Sequence, residues 1–202
     1  MITSGFRKVS MKKSVAPKTV RKPRSDAQRN RERILEVARQ VFTRRGAGAS
    51  MDEIAKRAKI GPGTLYRHFL TRDELLATVY ITEVGKLAAA QKKLSAELPP
   101  MEALRAWLLV FIDYIATKKI IAPALNAMAG GPSRVFQQSG QVMEDAANSL
   151  ASRAVASGDL RPDVDPMDLL RAIYGLSTAG SGEDWPVKAR MFVDILLQGS
   201  RP

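Results

Sequence analysis

Residues 50–76, SMDEIAKRAKIGPGTLYRHFLTRDELL, hold three helix starts at Ser50, Gly61 and Thr71, too close together for anything but short helices and tight turns. Ser50 and Glu53 have the spacing at which a hydroxyl takes one free backbone N–H and a carboxylate reaches back to another, and Thr71 and Glu74 repeat it. Between them, Gly61 suits an N-cap and Pro62 the first helical position, where a missing N–H costs nothing. The third start opens a long apolar stripe through Leu75, Leu76, Val79, Tyr80, Leu87 and Leu94. A short helix, a tight turn and a second short helix form the helix-turn-helix unit, whose second helix enters the major groove of DNA.

That placement accounts for the residues at the second helix. Gly61, Pro62 and Gly63 leave little side chain at its tip, so backbone can approach a partner closely, and free N–H groups there attract phosphate. Thr64 offers a hydroxyl and a methyl group to a base edge or a phosphate. Tyr66 and His68 suit the groove walls as phosphate donors, and Arg67 is the candidate for a bidentate contact to guanine. Leu65 and Phe69, four apart, face the opposite way and hold the helix to its own domain.

The charge distribution agrees. Residues 1–70 carry 18 Lys and Arg against 5 Asp and Glu, whereas residues 71–202 carry 14 against 15. All of the net +12 therefore lies in the first third, the footprint of a polyanion-binding end. Residues 1–25 lack apolar periodicity and read as a disordered basic tail whose Arg21, Lys22 and Arg24 could lie on phosphates or in a minor groove; a plain solvated extension is the alternative. The absence of cysteine rules out disulfides and thiolate metal sites, and a single histidine, His68, rules out imidazole clusters, so no metal or cofactor is expected. No apolar run reaches a membrane span and the N-terminus lacks a signal-peptide core, so no membrane partner and a cytoplasmic location are expected.

The rest reads as helix throughout, with no alternating β pattern. A first helix is expected from an Asp26 cap to Gly46, with Ile34, Leu35, Ala38, Val41 and Phe42 inward. Further helices are expected from just after Pro99-Pro100 to about Lys119, over IIAPALNAMAGG, from Ser133 to a stop at Gly158, from Asp165, and from Pro186 to Gly199. The expected fold is all-α: a basic tail over 1–25, a three-helix helix-turn-helix domain over 26–74, and a helical regulatory and dimerisation domain over 75–202, reached by the long helix.

Residues 31–80, RERILEVARQVFTRRGAGASMDEIAKRAKIGPGTLYRHFLTRDELLATVY, resemble the DNA-binding domain of the TetR/AcrR family of bacterial transcriptional regulators, most specifically in GTLYRHF followed by RDELL. The resemblance implies DNA contacts at Ser50, Met51, Pro62, Gly63, Thr64, Tyr66 and His68, and a phosphate contact at Arg72. The family's turn glycine is replaced here by Lys59, which would take a left-handed backbone at a cost of roughly 1 kcal/mol. FIDYIATKKIIAPAL and SGDLRPDVDPMDLLRAIYGL resemble the SbtR-like regulatory domain, which implies an effector-binding and dimerising half but names no ligand.

Trp107, Phe111, Tyr114, Met128, Phe136 and Met143 are candidates for lining a pocket for a small-molecule effector, although residues of this kind at helical spacing are more often plain core. The resemblance further implies a homodimer built on the last two helices. Their apolar stripes are Leu169, Leu170, Ile173 and Tyr174 on one and Met191, Phe192, Ile195 and Leu196 on the other, with packing inside one subunit as the alternative. Asp159, Asp163, Asp165 and Asp168 are broken up by prolines and read as caps rather than a calcium loop. The expected function is a sequence-specific regulator, a repressor released from a near-palindromic double-stranded operator by a ligand, and not an enzyme, since no nucleophile elbow, P-loop or dinucleotide fingerprint occurs. The rival is a basic protein that coats DNA without regard to sequence.

Overall fold

The computed structural model describes residues 23–128, 131, 133–179 and 184–202, and among these every regular element is a helix. In chain order they are α1 (Pro23–Arg45), α2 (Met51–Arg57), α3 (Pro62–His68), α4 (Arg72–Glu97), α5 (Pro100–Asn126), α6 (Ser133–Ala156), α7 (Pro166–Ala179) and α8 (Trp185–Gly199), with one turn of 3-10 helix at Gly46–Gly48. Helices α1 to α3 pack against one another around Ile34, Ala38, Phe42, Ile54, Leu65 and Phe69, all of them buried. Helix α4 continues from this unit and runs antiparallel to α5 across the two-residue joint Leu98–Pro99. Helix α5 is the axis of the second half and touches α4, α6, α7 and α8. It also meets α1 and the Gly46–Gly48 turn. Since α4 starts beside that turn and the two helices are antiparallel, the C-terminal end of α5 is the part that arrives there.

The caps form as their spacing predicts, with local variations. Ser50 Oγ accepts from Glu53 N at 3.2 Å, but the Glu53 carboxylate turns to Arg57 (2.9 Å) and Arg45 (3.8 Å) instead of reaching back. Thr71 Oγ1 accepts from Glu74 N at 3.0 Å, while Glu74 returns the contact to Leu70 N, one residue before the cap, at 2.8 Å. Asp165 accepts from Met167 N at 2.8 Å. Asp159 accepts from Ser157, while Asp163 and Asp168 pair with Arg161 and Arg171, so the four aspartates do the work of caps and local pairs. Gly158, at φ +77°, closes α6: Asp159 N donates to Ala154 O and Gly158 N to Val155 O.

Two boundaries differ from expectation. Helix α1 begins at Pro23, a good first residue, so Asp26 lies in its first turn paired with Arg29 rather than capping it. Arg24 is therefore helical, whereas Arg21 and Lys22 lie outside the described residues. Helix α5 runs straight through the expected break after Lys119 and absorbs IIAPALN; Pro123 sits inside it on an exposed face, removing one backbone hydrogen bond without ending the helix.

Lys59 has φ +54°, the left-handed region, and it ends α2 by donating to Lys56 O at 3.2 Å while Ile60 N donates to Ala55 O at 3.1 Å. This paired closure normally uses glycine. Lys59→Gly is expected to raise the unfolding free energy by about 1 kcal/mol, read as a higher denaturant midpoint with unchanged slope. A midpoint that stays put or falls would mean the lysine bears no strain.

Candidate nucleic-acid interface and effector cavity

Leu65 of α3 and Phe69, the residue that follows the helix, are fully buried, and the Arg31 guanidinium of α1 lies 4.5 Å from the centre of the Phe69 ring, pinning the end of the helix. With that face fixed, Gly61, Pro62, Gly63, Tyr66 and Arg67 are exposed, and Thr64 and His68 half-buried. A Cβ added at Gly61 or Gly63 would meet nothing within 4 Å. No internal packing therefore requires these glycines. Arg67 lies back along its own helix, with Nε donating to Gly63 O at 3.3 Å, a weak contact that a stronger acceptor could displace. Ser50 is exposed, and its hydroxyl accepts the cap bond while keeping a proton to donate outward.

Two of the expected DNA-contacting side chains sit elsewhere. Met51 is turned into the core, because the first turn of α2 places it on the same face as Ile54 and Ala55. Arg72 is spent on its own chain: Nε donates to Ala49 O at 2.9 Å and Nη2 to Ala47 O at 3.0 Å and Gly46 O at 3.3 Å, with the guanidinium 5.3 Å from the Phe42 ring centre. It fastens the start of α4 to the turn between α1 and α2, the same turn that α5 meets.

In the second half, a cavity of about 190 Å³ lies between α5, α6 and α7. Of the six candidate lining residues, Phe111, Tyr114 and Met143 border it. Trp107 does not: it is fully buried, donates from Nε1 to Leu87 O at 2.9 Å and stacks on Phe111, so it belongs to the core. Met128 packs against the core away from the cavity. Phe136 stands behind it, edge-on to Tyr80 with ring centres 5.4 Å apart. Lys118 and Arg171 also border the cavity and escaped the sequence reading, although Lys118 continues the helical face of Phe111 and Ile115. The Tyr114 hydroxyl shares a buried hydrogen bond of 2.6 Å with the Tyr80 hydroxyl, tying the cavity wall to α4. Burial and this neighbour push the Tyr114 phenol well above the usual tyrosine range, so it stays protonated.

The two late apolar stripes divide. Leu169, Leu170 and Ile173 are buried inside the subunit against α5, α6 and α8, and Leu170 borders the cavity, so these three leave the candidate dimer face. Helix α8 buries Ala189, Val193 and Leu197 and is tied to α5 by the pairs Arg105–Asp194 and Arg190–Asp113. This fixes its outer face, where Val187, Met191 and Ile195, four residues apart, are 63%, 66% and 64% exposed. Tyr174 on α7 is exposed as well, and Phe192 and Leu196 are half-buried beside the stripe. Among the described residues no group of three metal-ligating side chains forms, and no helix is long and apolar enough to cross a membrane.

Comparison with known proteins locates these features in a family. The family model for bacterial regulatory proteins of the tetR family matches residues 34–79, and that for the C-terminal domain of SbtR-like transcriptional regulators matches residues 99–202. A TetR transcriptional regulator of Streptomyces coelicolor is 39% identical with a TM-score of 0.77, covering 85% of this chain and 98% of that one. A TetR regulatory protein of Mycobacterium vanbaalenii is 30% identical with a TM-score of 0.73, covering 89% and 99%. The HTH-type transcriptional regulator UidR of Escherichia coli is 33% identical over 92 residues, 45% of this chain, which spans only 41% of that relative's length. With a tetR-type reader followed by an SbtR-like half that fills 99–202, the chain belongs to the TetR family of bacterial DNA-binding transcriptional regulators.

Proposed function

We propose that this chain is a homodimeric, sequence-specific repressor in the cytoplasm that leaves a near-palindromic operator when a small molecule enters the cavity between α5, α6 and α7. The reading divides the chain near residue 74 into a DNA reader and a regulatory half. The observation that carries it is the tip of α3: a fully buried apolar side opposite an open Gly-Pro-Gly edge followed by Thr64, Tyr66, Arg67 and His68. Two such helices about 34 Å apart would occupy successive major grooves. Ser50 and Tyr66 would donate to phosphates, the Gly63 backbone would close on the sugar-phosphate ridge, and Arg67 would swing off Gly63 O to a guanine edge.

Release needs a ligand that binds one arrangement better than the other. A ligand in the cavity would change the pitch of the long helix α4 between Thr71 and Leu94 and so the separation of the two recognition helices. Two physical links support a route that also uses α5: the Tyr114–Tyr80 hydrogen bond from cavity wall to α4, and the end of α5 at the Gly46–Gly48 turn that Arg72 clamps.

Selection of bound duplexes from a random pool, followed by titration of the selected and scrambled sites, tests the reading. A specific reader keeps a ratio of roughly a thousandfold or more; a ratio near one would favour the DNA-coating alternative. Gly63→Ala separates DNA contact from folding. Since nothing lies within 4 Å of the added Cβ, and alanine favours helix over glycine by roughly 1 kcal/mol, the melting temperature is expected to hold or rise. Operator affinity is expected to fall about tenfold, because the methyl group stands the helix tip off the phosphates. Undiminished affinity would sink the close approach.

A further inference from the structure

We propose that the cavity between α5, α6 and α7 takes a small apolar carboxylate, with the Lys118 ammonium as its counter-ion. This rests on the effector reading above and names the class of molecule that the site accepts.

The wall is apolar over most of its extent: Phe111 and Ile115 from α5, Met143 from α6, Met167 and Leu170 from α7. The polar side chains that border it are Tyr114, Tyr174, Lys118 and Arg171, and they differ in charge and in what they have left to offer; Tyr174, at the mouth, is 47% exposed and carries only a hydroxyl. The Tyr114 hydroxyl is already engaged with Tyr80 at 2.6 Å. Arg171 is held by carboxylates of its own helix region, Asp168 at 2.5 Å and Asp165 at 3.6 Å. Lys118 is different. The residue is half-buried, its ammonium lies 4.9 Å from the centre of the Phe136 ring, and among the described residues no carboxylate oxygen stands within ion-pair distance. Burial alone pulls its affinity for the proton below the usual lysine range. A charge partly withdrawn from water and facing only a ring quadrupole is an unfinished interaction, and an anion completes it with a charge-assisted hydrogen bond. The apolar wall selects what is attached to that anion: a volume of about 190 Å³ is room for about six water-sized units at about 30 Å³ each, so the anion's tail is short, with any excess length reaching the open mouth. An amide or alcohol of the same shape fills the wall equally well and can accept a hydrogen bond, but it brings no counter-charge to the ammonium, so charge is the discriminating feature.

Calorimetric titration of the full chain with octanoate and phenylacetate, against octanamide and phenylacetamide, tests this directly. The carboxylates are expected to bind at least tenfold more tightly than their amides. Lys118→Met, and Lys118→Gln as a second variant in case the first fails to fold, are expected to erase that ratio while melting at or above the temperature of the unsubstituted chain. Equal binding of acid and amide, a preference that survives both substitutions, or no binding of either class up to millimolar concentration would overturn the proposal. Adding the same compounds to the chain bound to its selected operator keeps the two readings apart. A carboxylate that binds through Lys118 without freeing DNA upholds this assignment and refutes ligand release. Release by octanamide from the unsubstituted chain at the same concentration as octanoate does the reverse.

Discussion

Arg72→Met is expected to lower the unfolding free energy by about 3 kcal/mol. The reason is the number of acceptors that one side chain serves. The carbonyls of Gly46, Ala47 and Ala49 belong to the turn that links α1 to α2, and the Arg72 guanidinium takes all three at 2.9 to 3.3 Å. Its flat face covers Phe42, and its side chain is about a quarter exposed, so water replaces it only in part. Losing a charged donor leaves roughly 1 kcal/mol per acceptor uncompensated. For a chain of this size that corresponds to a fall of about 9 °C in melting temperature. Arg72→Lys keeps the charge but supplies a point donor in place of a planar fork, so it is expected to restore only about a third of the loss. Thermal unfolding of the three proteins decides the matter. A residue that served only DNA phosphate would melt like the unsubstituted chain within about 0.5 kcal/mol and reveal itself in the salt dependence of binding instead. Because the end of α5 meets the same turn, the substitution is also expected to weaken any effect of a cavity ligand on DNA affinity.

Arg72 also shows where the sequence is legible and where it is not. Starts and stops of helices are written locally, since a hydroxyl, a glycine or a proline acts within four residues of itself. Ser50, Thr71, Asp165 and Gly158 accordingly sit where spacing places them. The left-handed turn at Lys59 carries no such local signal and was legible only through the resemblance, which puts a glycine at that place. What lies across a helix is not local. An arginine at the start of a helix carries the same signature whether it meets phosphate or three carbonyls twenty-odd residues upstream. An apolar stripe announces that it will be covered, but not by what: Leu170 is covered by its own subunit and borders a cavity, whereas Met191, at the same periodicity, is bare. Met51, expected at DNA, is core, and Trp107 takes the plain-core alternative, because only packing settles which face of a helix is covered. Lys118 was missed because a lysine reads as solvent-facing until the helices around it are in place.

The bare stripe on α8 supports the second large effect: Ile195→Asp is expected to weaken subunit association by about four powers of ten. Val187, Met191 and Ile195 share one face, and the inner side of α8 is locked by Ala189, Val193 and Leu197 and by the two arginine–aspartate pairs to α5. The helix therefore cannot roll to hide the stripe within its own subunit. A second copy that covers it does so with the same stripe, because a two-fold interface is self-complementary. Each substitution then enters the interface twice. Burying an unpaired carboxylate costs roughly 3 kcal/mol, so two copies amount to about 6 kcal/mol, or a factor of about ten thousand in the dimer dissociation constant. The folded subunit itself is expected to be unaffected, since position 195 is exposed in the single chain and the Arg105–Asp194 pair next to it is undisturbed. Sedimentation velocity across a dilution series reads the association, and circular dichroism reads the fold. Operator affinity is expected to fall with the dimer, because a lone subunit reaches only one half-site and forfeits the second set of contacts. If the substituted chain sediments and binds DNA as before, the stripe lies outside the interface, and the pairing of recognition helices must be built on another face.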